Sequence, residues 1–363
     1  MKNSVLVCYL LISTSFVHPR VKLAEIATTA SASENLFIII TDGFRWQEVF
    51  NGADSLLINN ETFTEDTATL KSMYWATTKE ERRKRLMPFF WNVIANKGQL
   101  IGNRDLKNKM NVANIYSVSY PGYNEIFTGT TDISISGNGK KNNPNINVLE
   151  YLESREAFEG KIAVFSSWDV FPYILNRKRN DLMMNSGYEQ MENQNEETEM
   201  INDVQEKAII DKTATRYDML TYATAKEYIK TNKPRVVVIG FGETDDFAHQ
   251  KRYDLYLQQA NQVDKMIGEL WHMVQTTPGY KNNTSFLITT DHGRGNASHW
   301  SGHGFFIEGS SQTWLAMIGP NISPVGESSG KLQVYSRQLA TTIANLVGQD
   351  FSLASARKAL SKK

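Results

Sequence analysis

Cysteine is almost missing from this chain: among 363 residues there is one, Cys8. It lies in the N-terminal apolar run Val5–Val17, so the rest of the chain has no disulfide and no thiolate metal site. Net charge is missing too. Lys+Arg and Asp+Glu both number 39, which leaves no global field to draw the protein toward a nucleic-acid duplex or an acidic membrane surface. Long apolar runs are also lacking. Val5–Val17 is too short to span a bilayer, and no transmembrane anchor is expected. With Lys2 ahead of it and the small-residue stretch Ala27–Ser33 behind, it has the layout of an export signal. Residues 1–33 are therefore read as signal peptide and linker, with a periplasmic or secreted destination and a mature start between about residues 20 and 34. Residues 34–350 are read as the folded domain. There is no internal repeat, no heptad seam and no Walker-type phosphate loop.

What is present is a set of short apolar strands that end on acids and imidazoles. Phe286–Thr290 is a β-branched run that delivers Asp291, His292 and Gly293, with His299 and His303 following. Leu36–Ile40 ends on Thr41, Asp42 and Gly43. Arg235–Phe241 opens onto Asp245 and His249, four residues apart and so on one face of a helical turn. Each has an ordinary alternative: a capped surface turn at Asp291-His292, a helix cap at Asp42, an exposed helix pair at Asp245 and His249. A sheet, however, gathers its strand ends at one edge. Asp42, Asp245, His249, Asp291, His292 and His303 can then meet as six oxygen and nitrogen ligands. Six exceed one tetrahedral zinc and suit two ions roughly 3.5–4 Å apart. His299 is a spare imidazole, and His272 on the amphipathic helix Tyr253–Val274 reads as surface.

Ser119 stands at the opening of a helix within NIYSVSYPGYNEIFTGTTD, Asn114–Asp132. A hydroxyl there sits among free backbone N–H groups in the positive end of the helix dipole, where an anion can meet a nucleophile; the alternative is a plain N-cap. Elsewhere the pattern predicts a helix within Lys79–Lys97 with Pro88 in its first turn, a strand over Lys161–Ser166 and one long helix through Glu206–Lys230. A late strand follows at Thr313–Ile318 and a last helix at Arg337–Val347. The acidic, amide-rich stretch 185–203 reads as a surface insertion.

On these residues the chain resembles the alkaline phosphatase superfamily, most closely its nucleotide pyrophosphatase/phosphodiesterase-like branch. The motifs are the aspartate of IIITDG (Asp42), Ser119 before Pro121 and a helix, Asp245-x-x-x-His249, Asp291-His292-Gly293 and His303-Gly304, in the family's order. The resemblance implies an α/β fold, a three-layer α/β/α sandwich with a mostly parallel central sheet. It implies two divalent metal ions, zinc or alternatively manganese, one on Asp245, His249 and His303 and the other on Asp42, Asp291 and His292. Ser119 becomes the nucleophile of an exported phosphomonoesterase or phosphodiesterase acting on small-molecule phosphate esters through a phosphoseryl intermediate. Two departures stand out. Pro121-Gly122-Tyr123 replaces Pro-Asn-His, and the phosphate-orienting Asn has several competitors, Asn138, Asn142, Asn143 and Asn145, of which Asn143 and Asn145 are taken as substrate-binding. The alternatives are a sulfatase or a phosphoglycerate mutase-like enzyme of the same superfamily, and a non-catalytic binding protein on this fold.

Overall fold

Runs such as FIII and VVVI are apolar at every position, as strands covered on both faces must be. In the structure, a computed structural model that describes residues 33–192 and 195–360, they are buried throughout. The export signal expected at the N-terminus, Cys8 included, lies outside the described residues apart from Ser33. Eleven strands are described: β1 (Asn35–Thr41), β2 (Gly98–Ile101), β3 (Asn108–Asn111), β4 (Ile162–Ser166), β5 (Met183–Ser186), β6 (Val236–Phe241), β7 (Thr284–Thr289), β8 (Gln312–Thr313), β9 (Leu315–Ile318), β10 (Gly326–Glu327) and β11 (Leu332–Tyr335). Eight form one sheet in the order β10-β2-β9-β7-β1-β6-β4-β5, and β11-β3-β8 form a small second sheet. From β7 through β5 the pairings are parallel; β9 runs antiparallel to both of its neighbours, β7 and β2.

Side chains alternate along β1. Phe37 and Ile39 join one apolar cluster with the helix Tyr253–Thr276, while Leu36, Ile38 and Ile40 join another with the helices Ser119–Thr128 and Leu339–Leu346. Two cores on opposite faces make three layers, the expected sandwich. Each fully buried Ile or Leu contributes about 1.5–3 kcal/mol through its removal from water. Among the described residues no helix is long and apolar enough to cross a membrane.

Two local expectations need correction. The single helix through 206–230 is instead a π-helical turn Val204–Ala208 and a helix Asp218–Asn232, with an irregular link between them. Arg216 in that link is buried, and its bonds to Ser167 O through its backbone and to Asn185 Oδ1 through its guanidinium outweigh local helical preference. The stretch 185–203 does not begin as an insertion: Asn185 and Ser186 are the buried end of β5, and the helix Glu196–Asp203 buries Thr198, Ile201 and Asn202. Within Lys79–Lys97 the expected helix with Pro88 in its first turn begins at Pro88, after a separate helix Lys79–Leu86 and a break at Met87.

Candidate metal centre

The three strands that end in acids are neighbours in the sheet, in the order β7-β1-β6. Their register is level: Thr41 pairs with Phe241, and Ile40 with Thr289. Asp42, the helix Glu243–His249 and Asp291 therefore leave the sheet side by side at its carboxyl edge. Thr244 Oγ1 donates to Asp42 O at 2.6 Å and ties two of these ends together. The turn leading into Asp245 is fixed by Asp218, whose carboxylate accepts from Gly242 N at 2.8 Å, Glu243 N at 3.2 Å, Ser167 Oγ at 2.6 Å and Gln259 Nε2 at 2.7 Å. Burial moves the Asp218 carboxyl up to about 6. Burial and the neighbouring Asp218 move Glu243 up to about 8.

All six sequence-predicted ligands converge. His292 Nε2 lies 3.3 Å from Asp42 Oδ1 and 3.6 Å from Asp291 Oδ2. His249 Nε2 lies 3.0 Å from Asp245 Oδ2 and 3.1 Å from His303 Nε2. His303 is 3.8 Å from Asp245 and stacks on His292 with 4.0 Å between ring centroids. Two groups could each hold an ion, Asp42 with Asp291 and His292, and Asp245 with His292 and His303. His292 thus stands between them. His299 is exposed on the turn Ala297–His299, outside the cluster.

The donor set fits cations. Burial, then the charge of Asp245, raises Asp42 well above the ordinary carboxylate range; burial, then the charge of Asp42, does the same to Asp291. Asp291 Oδ1 accepts from Gly43 N and His292 N, but its buried Oδ2 has no hydrogen-bond partner among the described residues. A buried carboxylate oxygen left unpaired is costly unless a cation takes it. Burial, then the charge of His292, pushes the His303 imidazole down to about 2, which keeps it neutral and able to coordinate.

Ser119 arrives from the other side. It is the first residue of the helix Ser119–Thr128, and Val118 is the N-cap, so its hydroxyl is not spent on capping. The Oγ lies 3.2 Å from His292 Nε2 and 3.4 Å from Asp42 Oδ1. The loop before it is held by buried Glu125, which accepts from Ala113 N and Asn114 N, and by Asn114 Oδ1, which accepts from Tyr116 N and Ser117 N. Gly122 lets the helix close on the sheet edge: a Cβ there would lie 2.3 Å from Asp291 O. Gly43 does the same at the ligand cluster. Its φ is +59°, and an added Cβ would lie 2.6 Å from Asp245 Oδ1.

Asn143 and Asn145 are not brought to Ser119. Their amides donate to Asn124 Oδ1, at 3.0 and 3.3 Å, and Asn145 also to Asp132, so they brace the far half of the helix. Asn138 is the amide beside the nucleophile, its Oδ1 accepting from Tyr120 N at 3.0 Å. Sequence reasoning also passed over two participants. Tyr123 donates its hydroxyl to Asp42 Oδ2 at 3.3 Å. Arg294, buried, donates to Asp245 Oδ1, Trp300 O and Ser301 O. The signal for Arg294 was its place directly after Asp291-His292-Gly293 at a strand end.

Residues 180–305, the part that supplies Asp245, His249, Asp291, His292 and His303, match the family model of the Metalloenzyme superfamily. No curated protein sequence matches the chain. Solved structures do. A protein in the alkaline phosphatase superfamily from Vibrio parahaemolyticus is 11% identical, with 92% of this chain and 72% of that one covered at a TM-score of 0.52. A phosphonate monoester hydrolase from Silicibacter pomeroyi is 12% identical, with 87% and 74% covered at 0.54. Murine ectonucleotide pyrophosphatase/phosphodiesterase 5, as an inactive form with AMP, is 11% identical, with 90% and 99% covered at 0.53. Sulfatases are also among the structural neighbours. With three layers, three level strand ends and acids and imidazoles gathered at their edge, the chain has the fold of the alkaline phosphatase superfamily.

Proposed function

We propose that this protein is a metal-dependent hydrolase of phosphate esters, with Ser119 as nucleophile. The observation that carries the reading is the place of Ser119 Oγ, unspent at a helix N-terminus and within 3.4 Å of both His292 and Asp42, where the two candidate ion groups meet. Asp42, Asp291 and His292 would hold one divalent ion, and Asp245, His249 and His303 the other. Such a pair, when bound, neutralises the anionic substrate and lowers the charge cost at the attacking and departing oxygens. The chain's own residues do the positioning. In the first turn of the Ser119–Thr128 helix, Tyr120 N donates to Asn138, Pro121 has no N–H and Gly122 N donates to Val118 O, so the Ser119 N–H beside Oγ would be the backbone donor for a phosphoryl oxygen. Asn138, whose Oδ1 accepts from Tyr120 N, would use its Nδ2 to orient a second phosphoryl oxygen. Ser119 Oγ then displaces the leaving oxygen to give a phosphoserine and the free alcohol, and water releases phosphate from Ser119.

Sulfate esters are the competing class. The sulfatase signature places an Arg where this chain has Tyr123, and Tyr123 is buried with its hydroxyl on Asp42. A phosphate monoester dianion also gains more from two dications than a sulfate monoanion does. The test compares kcat/KM for matched aryl phosphate monoesters, phosphate diesters, phosphonate esters and sulfate esters in protein loaded with zinc or with manganese. Equal or higher values for sulfate would overturn the reading.

A further inference from the structure

Arg294 is buried inside the ligand cluster. Its Nε donates to Trp300 O at 3.2 Å, and its two terminal nitrogens donate to Ser301 O and to Asp245 Oδ1. Room for it is made by Gly43, where a Cβ would lie 2.7 Å from Arg294 Nη1. Its effect is lopsided. The guanidinium is bonded to Asp245 Oδ1, which is also the oxygen 3.8 Å from His303 Nε2 and 3.9 Å from His292 Nε2, while Oδ2 lies 3.0 Å from His249 Nε2 and takes no bond from Arg294. The side-chain donors to Asp42 and the main-chain donors to Asp291 are uncharged: the hydroxyls of Ser119 and Tyr123, and the N–H groups of Gly43 and His292.

Resting on the reading of these groups as metal sites, we propose that Arg294 is a positioning residue that makes the two sites unequal. It holds Asp245 as a one-oxygen ligand and acts as a resident cation on that side. Burial removes the water that would screen the guanidinium charge. A divalent ion on Asp245, His249 and His303 therefore binds against a fixed positive charge. The ion on Asp42, Asp291 and His292 binds where no guanidinium is bonded to the carboxylates and the charge of Arg294 reaches Asp42 only through space. The Asp42 side fills first, and the pair is completed only at higher cation concentration.

The experiment is calorimetric binding of Zn²⁺, and separately of Mn²⁺, to the chelator-stripped full chain, with bound metal counted by elemental analysis. The wild type should show two events differing in affinity by at least about tenfold, the scale of a buried unit charge a few ångströms away. Asp245→Asn should abolish the weaker event, and Asp42→Asn the tighter. Arg294→Gln, checked by circular dichroism, should tighten the weaker event toward the other, whereas Arg294→Lys should leave the gap. Loss of the tighter event in Asp245→Asn would overturn the proposal even if Arg294→Gln fails to fold. So would a weaker event that Arg294→Gln leaves unchanged or weakens further, the outcome of a purely structural arginine. Two events of equal affinity would overturn this inference alone; a wild type that binds no ion would overturn the metal-site reading and this inference with it.

Discussion

Ser119 and Tyr123 lie one helical turn apart and both reach Asp42, yet they should fail differently when changed. Ser119→Ala removes the proposed attacking atom and no ligand. It should keep metal content and lose turnover of an aryl phosphate by at least about a thousandfold, as loss of a nucleophile does. Near wild-type rates would show that another group attacks. Tyr123→Phe keeps the ring packed on Phe171, 4.7 Å away between centroids, and deletes only the hydroxyl on Asp42. Losing a group that orients a ligand typically costs 10–100-fold in metal affinity or activity, so a roughly tenfold weaker Asp42-side ion is expected by calorimetry. Unchanged affinity would mean that Asp42 needs no such partner.

At the scale of elements, the approach of the Ser119–Thr128 helix to β7 is set by a missing side chain. Gly122→Ala would press a methyl to 2.3 Å from Asp291 O, against backbone that can move little. Overpacking of this kind costs about 1–3 kcal/mol, and the shift should separate Ser119 from His292. Both Tm and kcat should fall, while the same change at exposed Gly137, where a Cβ meets nothing, should leave kcat unaltered. The helix Tyr253–Thr276 makes a different junction. Its Asp264 accepts from Phe89 N at 2.7 Å and Phe90 N at 2.9 Å, capping the helical stretch that starts at Pro88. Burial raises the Asp264 carboxyl to about 7, against 3.8 as its ordinary value. For a raised acid, the folded state keeps its proton after the unfolded chain has lost it. The contribution of Asp264 to stability is thus fully present below about pH 4 and falls as pH rises toward 7, by an amount on the order of 4 kcal/mol. Asp264→Asn cannot ionise, so its denaturant midpoint should drop less than that of the wild type between pH 4.5 and 7.5. Parallel curves would show that Asp264 does not titrate in that window.

For the molecule as a whole, the candidate metal centre joins β1, the β6 end and the β7 end, and Ser119 adds a fourth segment. A ligand that binds only the folded state stabilises it by mass action, about 2.7 kcal/mol at a hundred times its Kd. Stripping the ions with a chelator should lower Tm by several degrees, and Zn²⁺ or Mn²⁺ should restore it where Mg²⁺, which prefers oxygen ligands, restores less. A Tm indifferent to chelation would argue against ions bridging these segments.

The sequence by itself determined the sheet's central strands, because runs like Leu36–Ile40 and Val236–Ile239 can be buried only between two layers. It also offered six candidate ligands: Asp42 and Asp291 close behind the runs of β1 and β7, Asp245 and His249 on the helix after β6, and His292 and His303 beyond β7. Their assembly in one place was left to the level register of β7, β1 and β6. Where the sequence fell short, the deciding contacts were long-range. Asn143 and Asn145 look as eligible as Asn138 in a polar loop, and only packing shows that the first two serve Asn124 while Asn138 sits at Tyr120. Arg216 breaks an otherwise helical pattern through bonds to Ser167 and Asn185, and 185–203 has a surface composition although it begins inside β5. Arg294 reads as an ordinary loop cation, and burial beside Asp245 makes it part of the centre. Local composition reports what a segment can bury; which distant group meets each buried polar atom is fixed only when the chain closes on itself.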